Sequence, residues 1–165
     1  MKKRIEEERI KTKILEARGR IREVMLDVVP LLLRRRLPEE DRDEFISILS
    51  KKLEDALYDD YLGGLKDISA NVLGERISQV LNDMGGSFVS EAKEDEVTIV
   101  GIRCPWDNES KRNPVTCMLT KGIASRFAKR AWGNAKVHLS KTLANRDDSC
   151  VIVVSRQREG SSAGY

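Results

Sequence analysis

The chain has few of the residues on which many active sites and small disulfide-bonded folds depend. Among its 165 residues there are one histidine and three cysteines, and only 5% of the residues are aromatic. An odd number of cysteines argues against a closed disulfide framework. No run of about eighteen apolar residues occurs, which argues against a membrane-spanning helix. The N-terminal sequence MKKRIEEERI is charged and lacks the apolar core of a signal peptide. We therefore expect a cytoplasmic protein with reduced thiols.

The small net charge of +3 conceals segments of opposite sign. Residues 1–36 carry twelve Lys and Arg against six Asp and Glu, residues 37–90 carry five against twelve, and residues 91–165 carry thirteen against nine. Two interpretations stay open. The charges can form solvated helix faces, or the segments can pair with each other or with a second copy of the chain. A net charge this small does not by itself indicate nucleic-acid binding.

The first segment, residues 1–36, is predicted to be a basic helical arm. Its apolar or small residues recur at alternating steps of three and four, which is typical of a heptad seam. The seam consists of Ile14, Ala17, Ile21, Val24, Val28 and Leu31. It is short and Pro30 interrupts it, so a dimerising arm and an amphipathic helix packed on its own domain both remain open. We expect a homodimer if the first interpretation holds.

Residues 37–155 are expected to form the main domain, and residues 156–165 a polar, flexible tail. Helical spacing predicts one helix from Pro38 to about Tyr61, with Ile48 on its buried face, and a second that ends at Gly85-Gly86. Alternating apolar residues then predict strands. These strands cover residues 87–92, 96–102, 135–143 and 149–155, with a helix over 114–131 that buries Met118. The order of N-terminal helices followed by β-β-α-β-β predicts an α+β fold, an antiparallel sheet covered by helices.

The three cysteines fall at or near the ends of these predicted elements. Cys104 follows the second strand, Cys117 lies in the first turn of the next helix, and Cys150 opens the last strand. Their spacing matches no zinc-finger pattern. Element ends can nevertheless meet at one point, and thiolates are soft ligands that suit zinc, copper or iron–sulfur clusters. The helix N-terminus is also expected to favour the Cys117 thiolate. The alternative is that each cysteine is an ordinary buried hydrophobic residue.

A structural zinc site needs a fourth ligand beside three thiolates. The candidates are His138, Asp107, Asp148 or an exogenous molecule, although alternation puts His138 on the exposed face of its strand. An open fourth position would make the site catalytic or ligand-sensing.

Three aromatic residues near the cysteines, Trp106, Phe127 and Trp132, could line a small apolar pocket for a ligand or cofactor. Ordinary core packing is the alternative for Phe127. The Cys104-Pro105 pair also occurs in haem-regulatory motifs, although a two-residue signal is very weak.

The sequence leaves two further functions open, an enzyme and a DNA-binding regulator. In an enzyme, an open metal position or a low-pKa Cys117 thiolate would perform a reduction or hydrolysis, but no Gly-x-Ser-x-Gly elbow and no phosphate-binding glycine loop occurs. In a DNA-binding regulator, Arg34-Arg35-Arg36 and the basic side of the Cys117 helix would contact phosphates. No helix-turn-helix pattern is present, and no aromatic residue alternates with basic ones on a strand. The sequence therefore favours a domain that is neither an enzyme nor a nucleic-acid binder.

Residues 101–154 contain the segments GIRCPW, NPVTCMLTKGI and CVIVV, which hold the three cysteines. This pattern resembles the archaeal methanogen output domain, which occurs in signalling proteins of methanogens. It is more distantly similar to the 4-vinyl reductase domain, the small-molecule sensor half of phenol-responsive transcription activators. The resemblance implies a sensory or regulatory domain with a small apolar ligand and a signalling partner protein.

The resemblance also implies a metal. In the vinyl-reductase-like sensors, cysteines and a carboxylate hold zinc beside an apolar ligand pocket. Cys117 and Cys150 match two of those cysteines, and Cys104 looks typical of the methanogen type. Residues 140–148 lack the Glu and Cys that those sensors have there, so the ligand set differs. We therefore expect zinc first, with an iron–sulfur cluster or haem as alternatives.

Overall fold

The computed structural model describes residues 12, 13, 15, 16, 19, 38–64, 66–106 and 115–157. The chain forms two compact units, Met1–Gly64 and Leu65–Tyr165. The described residues of the predicted arm are helical. The heptad seam, the predicted boundary after residue 36 and most of the predicted tail lie outside the described residues, so the dimerising arm stays a prediction.

In the first unit, one helix, α1 (Glu39–Leu62), contains most of the described residues. Its buried face is made chiefly by Leu49, Leu53 and Leu57, which are at most 1% exposed. Ile48 was predicted on this face but is 52% exposed, because a step of one residue turns a side chain about 100° around a helix. The helix ends at Gly63, which has φ 59 and donates its N–H to the carbonyl of Asp59. No helix in the described part of the chain is long and apolar enough to cross a membrane.

The second unit contains an antiparallel four-stranded sheet with helices on one face, so the predicted α+β class is confirmed. Its elements are α2 (Ala70–Asp83), β1 (Ser87–Lys93), β2 (Glu96–Arg103), α3 (Val115–Trp132), β3 (Ala135–Lys141) and β4 (Cys150–Arg156). The strand order is β1-β2-β4-β3. The two predicted hairpins are therefore joined by pairing of β2 with β4. The last strand in the sequence lies inside the sheet, which fits its continuous apolar run from Val151 to Val154.

The third strand is shorter than predicted. It ends at Lys141, after a register shift between Leu139 and Lys141. The predicted strand residue Leu143 instead begins a 3-10 turn that ends at Asn145. Thr142 initiates this turn because its hydroxyl oxygen accepts the N–H of Asn145 at 3.3 Å.

The core of the second unit lies between the sheet and the two helices. Helix α2 packs on β1 and β2, α3 packs on β3 and β4, and the helices contact each other. Burial of each large apolar side chain contributes roughly 1.5–3 kcal/mol. The least exposed include Leu73, Ile77, Leu81, Val97, Ile99, Leu119, Ile123, Phe127, Ile152 and Val154. Met118 was predicted to be buried with them but is 41% exposed.

Helix α2 approaches the sheet closely at Gly74. A Cβ atom at this position would lie 2.6 Å from Cγ1 of Val97. The glycine is buried in the middle of the helix, where glycine is a poor helix former. Close packing on β2 therefore explains why the side chain is absent there.

Candidate functional site

The three cysteines line one small cavity of the second unit, which we call the thiol cavity. Cys104 directly follows β2, Cys117 lies in the first turn of α3, and Cys150 is the first residue of β4. In the antiparallel pairing of β2 with β4, Gly101 is the partner of Cys150, so the end of β2 meets the start of β4. All three are free thiols; Cys104 and Cys150 are buried and Cys117 is half-buried. Pairing of β2 with β4 thus brings together thiols that are distant in sequence.

The thiol cavity is small and mostly apolar. Its volume is about 10 Å³, close to the space that one water-sized sphere occupies. Pockets for organic ligands usually measure roughly 300–1,000 Å³. None of the described residues that line it carries a charged side chain; beside the cysteines they are Phe88, Pro105, Thr120, Leu139, Thr142 and Ile152. An atom-sized ligand fits this space, whereas an organic ligand requires the walls to move.

Burial favours the protonated form of two thiols of this cavity, Cys117 and Cys150. It raises the pKa of Cys117 from an ordinary 9.0 to about 11, and the neighbouring Cys104 and Cys150 raise it further by charge repulsion. The pKa of Cys150 is also raised, chiefly by burial and then by Cys104 and Asp147, although the Leu143 amide opposes this. This direction is opposite to the expectation that the helix N-terminus favours the Cys117 thiolate, because burial of the thiol raises its pKa. One version of the enzyme hypothesis requires Cys117 to be a nucleophile of low pKa, and the raised pKa of Cys117 does not support it.

The connection from β3 to β4 supplies the polar contacts around Cys150. The Leu143 N–H donates to the Cys150 sulfur at 3.3 Å. One residue earlier, the Thr142 N–H donates to a carboxylate oxygen of Asp147 at 2.7 Å. Asp147 therefore fixes the backbone of a cavity-lining residue and acts electrostatically on Cys150. Asp147 was not among the fourth ligands that the sequence suggested.

Two of the predicted fourth ligands, His138 and Asp148, are not among the described residues that line the cavity. His138 is exposed, on the face of β3 opposite to Leu139, which lines the cavity. The side chain of Asp148 is 85% exposed and lies 3.8 Å from the Lys141 ammonium. Asp107 lies outside the described residues. Among the residues that the structure describes, no group of three or more His, Cys, Asp or Glu side chains is already assembled to hold a metal ion.

The three aromatic residues predicted to form a ligand pocket are buried elsewhere in the unit. The Trp106 indole N–H donates to the Thr120 hydroxyl at 2.9 Å, which ties the segment after β2 to α3. Phe127 is fully buried in the core. The Trp132 indole N–H donates to the Ile68 carbonyl at 2.8 Å, which ties the end of α3 to the segment before α2. None of the three is among the described residues that line the cavity, so their visible roles are structural.

The aromatic residue that does line the cavity is Phe88, near the start of β1. Thr120 and Thr142 line it as well. No sequence motif surrounds Phe88, Thr120 or Thr142. Whether these residues line the cavity depends on which strands pair, so the sequence alone did not indicate them. The polar residues 145–149, directly before Cys150, predict a turn, and this turn was the sequence feature that pointed to the segment of Thr142 and Asp147.

The thiol cavity offers donor atoms of the kind that a soft metal ion prefers, although its cysteines are not among any described side chains assembled to hold one. Three sulfur atoms are suitable ligands for zinc, and the cavity volume suits an ion.

Comparison with known proteins identifies the family. The sequence profile of methanogen output domain 1 matches residues 24–155, which confirms the resemblance to the methanogen output domain and extends it towards the N-terminus. No curated protein matches the chain. A similar solved structure is a trafficking protein particle complex subunit 3 from Naegleria fowleri, covalently bound to palmitic acid. That structure shares 14% identity at a TM-score of 0.49 and covers 87% of this chain and 96% of its own.

Proposed function

The chain belongs to the methanogen output domain 1 family, and from this premise we propose that it is a sensory or regulatory domain whose responsive site is the thiol cavity. The family's name indicates a signalling role. The observation that carries the proposal is the convergence of Cys104, Cys117 and Cys150 on one cavity. Cys104 directly follows β2, Cys117 lies in α3 and Cys150 opens β4, so a ligand held by all three would add a link between α3 and the paired strands β2 and β4.

Zinc is the first candidate ligand. The three cysteines would hold it, and the fourth position would be filled by Asp147 or by an exogenous molecule. Asp147 is supported by its electrostatic effect on Cys150. The vinyl-reductase likeness pointed to zinc as well, and it remains a prediction. An organic ligand is less well supported because of the small cavity volume.

Zinc uptake should depend strongly on pH. The raised pKa of Cys117 and of Cys150 means that both thiols are protonated at neutral pH. Binding must therefore release protons, and the apparent affinity should increase with pH. Proton release measured in a weakly buffered solution gives an independent readout of how many thiols become ligands.

Zinc titration of anaerobically purified, metal-free protein against a chromogenic chelator tests the proposal. We expect one zinc per chain, and Cys104→Ser, Cys117→Ser and Cys150→Ser should each weaken binding at least about tenfold, as losing a metal ligand or its support does. An absorbance scan separates colourless zinc from an iron–sulfur cluster or haem.

Matched controls use the predicted ligands that point away from the cavity. His138→Ala and Asp148→Ala should bind zinc like the wild type, because both side chains are exposed. Asp147→Asn should weaken binding if Asp147 fills the fourth position. Zinc well below one equivalent, or cysteine variants that bind like the wild type, would refute zinc as the ligand.

A further inference from the structure

One aromatic ring forms part of the wall of the thiol cavity. Phe88 is 4% exposed and lines the cavity together with the three cysteines. Its backbone partner across the sheet is Gly101, which in turn pairs with Cys150. The ring therefore stands in the same row of the sheet as one of the thiols.

Two glycines make room for this ring. A Cβ atom at Gly101 would overlap one edge of the ring, and a Cβ atom at Gly86 would lie 2.6 Å from Cε2 and 2.8 Å from Cδ2 on the other edge. Neither glycine has the positive φ found at Gly63 or Gly85. Positive φ is therefore not the reason for glycine at these positions. At Gly101 the ring of Phe88 alone excludes a side chain, whereas at Gly86 the ring and the carbonyl oxygen of Leu81, 2.8 Å from such a Cβ, both exclude one.

The backbone of Phe88 is fixed as tightly as its ring. The Phe88 N–H donates to Oδ1 of Asn82 at 2.6 Å, and Nδ2 of Asn82 donates to the Phe88 carbonyl at 3.0 Å. The strand register shifts between Ser87 and Phe88, so the Asn82 side chain satisfies backbone groups at the point where the ladder is irregular. Asn82, at the end of α2, therefore acts as a positioning residue for the ring.

We propose that Phe88 is the residue that determines ligand size in the thiol cavity, since its ring keeps the space too small for an organic ligand that carries a ring. The proposal rests on the proposed function in taking the thiol cavity as the binding site. The cavity of about 10 Å³ is bounded by this ring. Removal of the ring should open an apolar space, and apolar cavities of about 150 Å³ are known to bind benzene.

Two thiol reagents that share one reaction and differ in the size of the transferred group test this role. Methyl and benzyl methanethiosulfonate both react by attack of a cysteine thiolate on the reagent sulfur, which forms a mixed disulfide while methanesulfinate leaves. Labelling of Cys117 and Cys150 is followed by mass spectrometry. For each cysteine, the rate with the methyl reagent is divided by the rate with the benzyl reagent. This ratio is then divided by the same ratio in the urea-unfolded chain, which cancels the intrinsic reactivity of the reagents and leaves a normalised ratio that measures exclusion by size.

The wild type should show a normalised ratio of about ten or more, because forcing a ring into a packed site is costly. Phe88→Ala should reduce the normalised ratio to about one, the value of an unrestricted thiol. Phe88→Leu keeps more of the core filled and should give an intermediate ratio. This variant replaces Phe88→Ala in the test if the alanine variant does not fold. Asn82→Ala should also reduce the ratio, because it releases the backbone that carries the ring.

Leu73→Ala is the matched control. Leu73 is fully buried in α2 and is not among the described residues that line the cavity, so its truncation loosens the core without changing the wall. An unchanged ratio in Phe88→Ala, or an equal drop in Leu73→Ala, overturns the proposal. Phe88→Ala should still bind one zinc, since Phe88 offers no donor atom. Absence of zinc binding in the wild type would refute the zinc site alone, because the thiosulfonate ratio is measured without metal.

Discussion

The half-buried thiol of Cys117 should be unusually unreactive at neutral pH. Its pKa is raised to about 11, mainly by burial and secondarily by Cys104 and Cys150. Only the thiolate attacks thiol reagents, so the fraction of thiolate sets the rate. Raising the pH is the perturbation, and it changes that fraction without altering the sequence.

The expected magnitude follows from the pKa. At pH 8, a thiol of ordinary pKa is about 10% ionised, whereas one with a pKa of about 11 is ~0.1% ionised. This lowers the rate ~100-fold. A thiolate of higher pKa is intrinsically more nucleophilic, with a Brønsted exponent of about 0.4–0.5, which restores roughly eightfold. Cys117 should thus react roughly tenfold more slowly in the folded protein than in the unfolded chain.

The assay is the rate of methyl methanethiosulfonate labelling at Cys117 between pH 7 and 10, mapped by mass spectrometry. In the folded protein, the logarithm of the rate should rise by about one unit per pH unit throughout, since the thiol stays mostly protonated. In the unfolded chain, the rate should level off towards pH 9. Cys104→Ser and Cys150→Ser should each increase the rate slightly, because each removes a repulsion that is smaller than the effect of burial.

Levelling of the folded-state rate near pH 9 would show that Cys117 has an ordinary pKa, and our explanation through burial would then be wrong. A rate that is slow but follows the same pH profile as the unfolded chain would mean that restricted access alone protects the thiol. The slope therefore separates desolvation from steric exclusion.

Four other outcomes are expected. Gly74→Ala should lower the free energy of unfolding in urea by about 1 kcal/mol, since the overlap with β2 outweighs the better helix propensity; Gly19→Ala, with open space around a helical glycine, should not be destabilising. Ser78→Ala should raise the free energy of unfolding by about 1 kcal/mol, because the buried Ser78 hydroxyl has no hydrogen-bond partner in the described structure. Stability should fall as pH rises from about 9 to about 11, because the unfolded chain loses the Cys117 proton first; Cys117→Ser should reduce this slope. If the arm dimerises, removal of residues 1–36 should convert a dimer into a monomer by light scattering, and a dimer that persists would exclude the arm as its interface.

Local patterns were sufficient to predict the elements and the positions of the cysteines at their ends. Hydrophobic periodicity depends on each helix or strand alone, so the switch at Gly86 and the β-β-α-β-β order followed from the sequence. The same patterns define a buried face only to within one residue step, which explains why Ile48 and Met118 are exposed.

The chemistry of the site could not be predicted in the same way, because it depends on contacts between distant segments. Pairing of β2 with β4 brings Gly101 opposite Cys150, and no local signal indicates which strands of two hairpins will pair. The raised pKa of Cys117 reflects burial by the assembled unit, whereas the sequence showed only a helix N-terminus. Phe88 and Asp147 contribute through the same long-range arrangement.

The two tryptophans make hydrogen bonds near opposite ends of α3, so their fluorescence reports on different parts of the unit. Trp106 donates a hydrogen bond to Thr120, a residue that lines the thiol cavity. Trp132, the last residue of α3, donates one to the carbonyl of Ile68. Twelve residues of helix separate the two contacts by about 18 Å. Emission from Trp106 therefore senses the wall of the cavity, whereas emission from Trp132 provides an internal reference. Comparing the wild type with Trp106→Phe and Trp132→Phe allows ligand binding to be followed by intrinsic fluorescence, without an added dye.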